Sequence, residues 1–138
     1  MSAPLLLAVD VGTLSARAGL FDEAGALLGT ASAPFALRRP ESGFALYRMS
    51  EIWAAVEAAM RGVLAAHPGA AARLAGLAFD ATSSLVLAHD GAAPLPEGCD
   101  VFCWADHSGE ALTGEIEASG DLMLAHTGGT ISPEHHLP

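Results

Sequence analysis

The sequence predicts an α/β domain with a mixed sheet, an antiparallel N-terminal meander and flanking helices, and an architecture still incomplete at residue 138. Hydrophobic residues make up 51% of the chain and charged residues only 16%, which indicates one packed domain. Three apolar segments follow one another closely near the start, as the strands of a meander do. Later apolar segments end in polar residues, and ligands of open α/β domains collect at such strand ends.

The meander is predicted from the first 37 residues. The continuous apolar run at 5–9 indicates a strand that is buried on both faces and stops at Asp10 in a tight turn. Residues 16–21 predict a second strand, 22–25 a hairpin turn and 26–37 a third strand. Because the connections are short, neighbouring strands should run antiparallel.

A helix and several shorter elements should follow the meander. Ser50 precedes apolar residues spaced three and four apart, and this helical pattern closes at His67 before Pro68 and Gly69. The remaining predicted elements are strands at 74–79, 85–88 and 101–104, a helix at 107–119 and a short apolar segment at 122–124.

Charge composition restricts the ligands that the chain can bind. A net charge of −10 repels nucleic acids, so we expect no nucleic-acid partner. All six positive charges are arginines, and the absence of lysine excludes a Walker A loop, a Schiff-base lysine and a protein-kinase lysine within this segment. Any phosphate must therefore be held by backbone amides, hydroxyls, arginine or a metal.

The N-terminus and the two cysteines both suggest a cytoplasmic protein. Residues 1–4 lack a basic region, and Asp10 interrupts the first apolar run long before it could span a membrane, so we expect no membrane partner. Cys99 and Cys103 lie in an apolar stretch that indicates an extended chain, in which residues four apart lie about 13 Å from each other. We expect them to be reduced core thiols.

The turn after the first strand carries the strongest local signal. There Gly12 lets the backbone approach a phosphate closely, Thr13 and Ser15 offer hydrogen-bond donors, and Asp10 can hold a hydrated Mg²⁺. The alternative for these residues is a polar turn between two strands with no ligand.

Four segments in order resemble the FGGY carbohydrate kinases, members of the ribonuclease H-like superfamily of actin, hexokinase and the heat-shock ATPases. Residues 10–17, Asp-x-Gly-Thr-x-Ser-x-Arg, resemble the family's first phosphate motif. Residues 76–86 are similar to its sugar-facing strand and loop, 104–107 to the Trp-x-Asp-His motif of its ribulose-kinase members, and 127–133 to the segment that follows. Residues 47–53 are similar to its helix start. The ribulose and ribitol kinase branch is the nearest.

The resemblance implies ATP-dependent phosphorylation of a sugar or polyol hydroxyl, with a ketopentose such as ribulose as substrate and ATP and Mg²⁺ as cofactors. The residues it assigns to the ATP phosphates are Asp10, which would also hold Mg²⁺ through water, Gly12, Thr13, Ser15 and Arg17. The residues it assigns to the sugar are Ala81, Thr82, Trp104, Asp106 and His107.

Several of these residues have a plainer alternative. Trp104 suits a core aromatic, and Asp106 suits a helix N-cap. Ser108 stands where the pentulose-kinase branch usually has Arg, which puts the choice of sugar in doubt. The adjacent His135 and His136 suggest a metal site only weakly, and we expect them to face solvent.

The family also indicates what this chain does not contain. Its catalytic aspartate comes later in the first domain and its adenine pocket from a second domain, so residues 1–138 are expected to be the N-terminal part of the first domain and inactive alone. A homodimer of the full-length protein is compatible with the resemblance. The alternative function is a non-catalytic module of the actin-like superfamily that binds nucleotide or a partner, and a chance motif in an unrelated α/β fold is a third interpretation.

Overall fold

The computed structural model describes residues 3–133, which form two compact units. The first unit contains the chain up to Ala36 together with Met49–Thr82. The second contains Leu37–Arg48 and the described residues from Ser83 onward. Each unit is therefore assembled from two separate stretches of sequence.

The first unit is a four-stranded sheet with one long helix. Its elements are β1 (Leu5–Val11), β2 (Ser15–Asp22), β3 (Leu27–Pro34), helix α1 (Met49–Ala65) and β5 (Leu74–Ala81). The intervening strand, β4, belongs to the second unit. The strand order is β3-β2-β1-β5, with β1, β2 and β3 antiparallel and β5 parallel to β1. The predicted meander and mixed sheet are confirmed.

Alternation of side chains along β1 and β2 builds the core of this unit. Every second residue is buried beneath α1, because successive side chains of a strand point to opposite faces. The prediction that the first strand is buried on both faces is wrong, since Leu6 is 44% exposed. The buried residues of the two strands are Leu5, Leu7, Val9, Ala16, Ala18 and Leu20. The helix contributes Ile52, Ala55, Val56, Ala59 and Val63, spaced three and four apart along one stripe.

Small residues let α1 lie close to β3. A Cβ atom added at Gly62 would stand 3.0 Å from the Cβ of Ala31. Beyond the end of the helix, the ring of His67 fills the space over Gly29, with Nδ1 2.9 Å from the Val63 carbonyl oxygen and Nε2 3.3 Å from that of Leu28. Within residues 3–133, no helix combines the length and apolar character needed to cross a bilayer.

The second unit is built on short strands. Its elements are β4 (Leu46–Tyr47), β6 (Leu85–Val86), β7 (Val101–Phe102) and helix α2 (Thr113–Ala118), with 3₁₀ turns at Pro96–Gly98, Glu110–Leu112 and Leu122–Thr127, and a further 3₁₀ turn, Ala71–Arg73, lies in the first unit. The strands form an antiparallel sheet in the order β4-β7-β6.

An arginine supports a strained turn in this unit. Glu97 and Gly98 both have left-handed backbones, with φ of 56° and 69°, and for a residue with a side chain this conformation costs roughly 1–2 kcal/mol. The Nε of Arg48 donates to the Glu97 carbonyl oxygen at 3.0 Å, and its Nη2 donates to the same oxygen. The guanidinium thus holds the turn in its left-handed form.

Several predicted elements need correction, including the strand predicted at 85–88, which stops at Val86. The third strand ends at Pro34 rather than residue 37, and the amide of Phe35 donates to the Leu14 carbonyl oxygen at 3.1 Å. The predicted strand 101–104 stops at Phe102, and the helix predicted at 107–119 is reduced to Glu110–Leu112 and α2. The helix begins late because the amide of His107 donates to Gly43 at 2.8 Å, outside any helix.

The two cysteines are free and buried, as predicted. The single extended segment that was expected to hold them apart is wrong, because the strand there contains only Val101–Phe102. Cys99 instead closes the turn after Gly98, its amide donating to the Pro96 carbonyl oxygen at 3.1 Å. Burial raises the pKa of the Cys99 thiol above its ordinary value of 9.0. The thiol therefore stays protonated under ordinary conditions.

Candidate functional site

A tight hairpin joins β1 to β2 at the predicted phosphate motif. The amide of Gly12 donates to the carbonyl oxygen of Ser15 at 3.0 Å and closes the turn. A Cβ atom at Gly12 would lie 3.0 Å from Nη2 of Arg17, so the glycine leaves room for the guanidinium to lie directly over the turn. Thr13 and Ser15 are half-buried. The turn thus gathers amides, hydroxyls and a cation at one point.

Asp10 stands between a cation and a second carboxylate. On its β2 side it is paired with Arg17, whose Nη2 lies 2.7 Å from Asp10 Oδ2. On its β5 side it lies opposite Asp80 in the parallel register. Neighbouring strands are about 4.8 Å apart, so the two carboxylates share the carboxyl edge of the sheet. Sequence reasoning did not place Asp80 beside Asp10, because their proximity depends on the register of β1 and β5.

This pair of carboxylates suits a hydrated Mg²⁺. Among the residues that the structure describes, no group of three or more His, Cys, Asp or Glu side chains is arranged to hold a metal ion. Mg²⁺ does not need such a cage, because it keeps several waters and is usually bound by one or two carboxylates together with substrate phosphates. Asp10 and Asp80 fit that requirement, although Asp10 is shared with Arg17.

The loop assigned to the sugar is fastened to the same edge. The amide of Thr82 donates to the Val11 carbonyl oxygen at 3.0 Å, which extends the pairing of β5 with β1 by one residue. Ala81, the last residue of β5, donates its amide to Asp80 Oδ1 at 3.0 Å. Ala81 and Thr82 are thus brought beside the phosphate turn within the first unit.

The other predicted sugar residues form a cluster in the second unit. The side chain of Trp104 is substantially open to solvent, with 46% of the residue exposed, and His107 is also exposed. Asp106 lies between them and is only 1% exposed. Its Oδ2 accepts from the Ala45 amide at 2.7 Å, and its Oδ1 accepts from the Ser108 amide at 3.0 Å and from the Ser108 hydroxyl.

A buried phenol and thiol support the base of this cluster. The hydroxyl of Tyr47 donates to Cys103 Sγ at 3.2 Å, and the Ala105 amide approaches the same sulfur at 3.4 Å. Burial, and then the hydrogen bond to Cys103, raise the pKa of Tyr47 well above its usual range. Sequence reasoning did not identify the contact between Tyr47 and Cys103 or the role of Ala45. Tyr47 lies in β4 and Ala45 just before it, far along the chain from the residues that they contact.

The predicted site residues therefore fall into two groups, one in each unit. Residues of the phosphate motif and of the 81–82 loop share the sheet edge of the first unit. The Trp104, Asp106 and His107 group belongs to the second unit. The adjacent His135 and His136 lie outside the described residues.

Comparison with known proteins gives the family. The sequence matches the FGGY family of carbohydrate kinases, N-terminal domain, over residues 5–137. It is 35% identical to a D-ribulokinase of Saccharomyces cerevisiae over 99% of this chain and 20% of the yeast protein. It is 27% identical to a glycerol kinase of Listeria monocytogenes over 96% of this chain and 27% of that protein. The chain thus spans about a quarter or less of these relatives.

A solved structure confirms the predicted fold class. The xylulose kinase of Rhodospirillum rubrum superposes with a TM-score of 0.74 at 22% identity, over 85% of this chain and 24% of that chain. The fold is the ribonuclease H-like fold of the actin and hexokinase superfamily, of which this chain covers a part. Because the family model matches and the motifs occur in order on this fold, the chain belongs to the FGGY family of carbohydrate kinases.

Proposed function

We propose that the protein containing this chain transfers the γ-phosphoryl group of MgATP to a hydroxyl of a sugar or polyol, with a ketopentose such as ribulose as substrate. One observation supports this most directly: the glycine turn and two carboxylates, Asp10 and Asp80, lie at the carboxyl edge of two adjacent parallel strands. Ligands of open α/β sheets bind beyond such edges.

In this proposal the chain's own residues position charge. Glycine at position 12 lets phosphate approach the turn, the hydroxyls of Thr13 and Ser15 hold phosphate oxygens, and Arg17 neutralises part of their charge. Asp10, with Asp80, holds the hydrated Mg²⁺ that accompanies ATP. Phosphoryl transfer depends chiefly on such positioning and charge neutralisation, because the transition state spreads charge over its oxygens.

The family resemblance assigns sugar-binding residues in each group. Ala81 and Thr82 present the loop beside the phosphate turn, while Trp104 offers an apolar face to the carbon skeleton and His107 offers hydrogen bonds to hydroxyls. A ketopentose is favoured over glycerol because the D-ribulokinase is the more similar of the two relatives. Ser108, where pentulose kinases usually have Arg, is the residue that most weakens this choice.

The proposal extends to the organisation of the protein. We propose that residues 1–138 form the N-terminal part of the first kinase domain and that the base accepting the hydroxyl proton lies outside them. The fragment alone should therefore turn over no sugar. The full-length enzyme would work in the cytoplasm and could form a homodimer.

The function is tested by coupled ADP-release assays on the full-length protein. D-ribulose, D-xylulose, ribitol, glycerol and gluconate should be compared at equal concentration with MgATP. We expect D-ribulose to give the highest kcat/KM and the 138-residue fragment to show only background ADP release. A full-length protein that binds nucleotide but phosphorylates none of the five would point to the non-catalytic alternative.

A further inference from the structure

We infer that Asp106 is a positioning residue, whose buried carboxylate ties segment 43–45 to segment 103–108 and so sets the places of Trp104 and His107. The inference rests on the proposed function and refines it, because the family resemblance puts Asp106 among the residues that touch the sugar. Its support comes from the burial of the carboxylate and from the donors around it.

The carboxylate has little left to offer a sugar. Asp106 is 1% exposed, and its two oxygens accept three hydrogen bonds, from the Ala45 amide, the Ser108 amide and the Ser108 hydroxyl. An ionised carboxylate has about four acceptor sites, so three are occupied from within the chain. Because Asp106 is 1% exposed, a sugar hydroxyl could reach the remaining site only if the surrounding chain moved, whereas Trp104 and His107 on either side are exposed.

The carboxylate completes a ladder between two segments. The His107 amide donates to the Gly43 carbonyl oxygen at 2.8 Å, and the Cys103 amide donates to the Ala45 carbonyl oxygen at 2.8 Å. Between these two backbone bonds, the Ala45 amide has Asp106 Oδ2 as its acceptor at 2.7 Å. Ala45 is fully buried, so removing the carboxylate leaves its amide without water as a substitute.

The same ladder explains what Ser108 does. Its hydroxyl and its amide both donate to Asp106 Oδ1, so the side chain is directed toward the carboxylate. An arginine at this position could not donate a hydroxyl hydrogen bond in this way. Ser108 therefore supports Asp106, and we assign it no contact with the sugar.

Positioning and direct contact predict different kinetics. If Asp106 acts through Trp104 and His107, its loss weakens the binding of every sugar by a similar factor and leaves the KM for MgATP unchanged. If Asp106 bonds one sugar hydroxyl directly, the analogue that lacks this hydroxyl binds the variant as well as it binds the wild type. Substituting Asp106 and removing the hydroxyl then delete the same interaction. A set of single-deoxy ketopentoses distinguishes the two.

The experiment uses the full-length protein with the variants Asp106→Ala, Asp106→Asn and Ser108→Ala, and Asp90→Asn as the matched control on an exposed loop of the same unit. We expect Asp106→Ala to raise the KM for D-ribulose and for every deoxy analogue about tenfold, the loss of one hydrogen bond to a charged group. Asp106→Asn keeps an oxygen for the Ala45 amide but turns a donor NH₂ group toward the Ser108 amide, so it should restore only part of this loss. Ser108→Ala should show a smaller uniform rise.

A second readout is independent of catalysis. Amide hydrogen exchange without sugar should be about tenfold faster at Ala45 in Asp106→Ala than in wild type, and unchanged in Asp90→Asn. The positioning role is overturned if Asp106→Ala leaves the exchange rate of the Ala45 amide unchanged, or if one deoxy analogue has the same KM in Asp106→Ala as in wild type. A wild-type protein that phosphorylates no sugar overturns the proposed function instead, and leaves Asp106 only its structural tie. If Asp106→Ala does not fold, Ser108→Ala decides by the same criteria.

Discussion

Replacing Asp10 with Asn separates a contribution to stability from a contribution to phosphate binding. The ion pair between Asp10 and Arg17 is short at 2.7 Å, but the side chains are 49% and 59% exposed. Ion pairs with this much exposure contribute about 0.2–1 kcal/mol, because water screens them. We therefore expect Asp10→Asn to change the free energy of unfolding by less than about 1 kcal/mol.

The expected effect on catalysis is much larger. Asn has no charge to hold a hydrated Mg²⁺, and removing one group that stabilises transition-state charge typically costs about 10²–10³ in rate. In the full-length protein, kcat/KM for the sugar substrate should fall by that factor, as measured by ADP release under MgATP. Urea unfolding of the same preparations gives the stability.

The pair formed by Arg61 and Glu57 provides the control. It is also exposed, with Nε of Arg61 donating to Glu57 Oε1 at 2.9 Å on the outer side of α1. Glu57→Gln should change stability as little as Asp10→Asn does and leave kcat/KM unchanged. The reasoning fails if Asp10→Asn keeps kcat/KM within about threefold of wild type, or if it destabilises the protein by more than about 2 kcal/mol.

Two further predictions concern stability. Gly29→Ala should destabilise the protein by about 1–3 kcal/mol, because its Cβ would come 2.3 Å from Cε1 of His67; thermal unfolding checks this against Gly91→Ala, which has open space around it. Stability should also fall as the pH rises above 9.0, since burial raises the pKa of Cys99 and Tyr47 and the unfolded chain releases their protons first. Urea midpoints across that range should fall less in Tyr47→Phe than in wild type, and an equal fall would contradict the assignment to Tyr47.

The sequence predicted those parts of the fold that depend on local pattern. Continuous apolar runs and short turns were enough for the meander, and helical spacing was enough for α1, because each pattern extends over a full element. The strand β4 was missed because it has only two residues and gains its partner from β7, far along the chain. The helix predicted at 107–119 failed because backbone groups near its start bond to other segments instead.

In the candidate site, too, local features were predicted from the sequence and contacts between distant segments were not. The composition of the phosphate turn is visible in the sequence, since its residues are neighbours. The approach of Asp80 to Asp10 depends on the register of two strands that are separated by the whole of α1. The burial of Asp106 depends on Ala45, which lies 61 positions earlier in the chain. No local pattern carries that information.

The division of each unit between two stretches of sequence also sets an order for folding during synthesis. The sheet of the first unit has all its strands once Ala81 has emerged, whereas β4 must wait for β7 and for Asp106. Residues 82–106 take roughly one to five seconds to synthesise. During that interval Leu46 and Tyr47, buried in the finished chain, do not yet have β7 beside them. A nascent chain stalled in this interval should therefore be the form most readily bound by a chaperone.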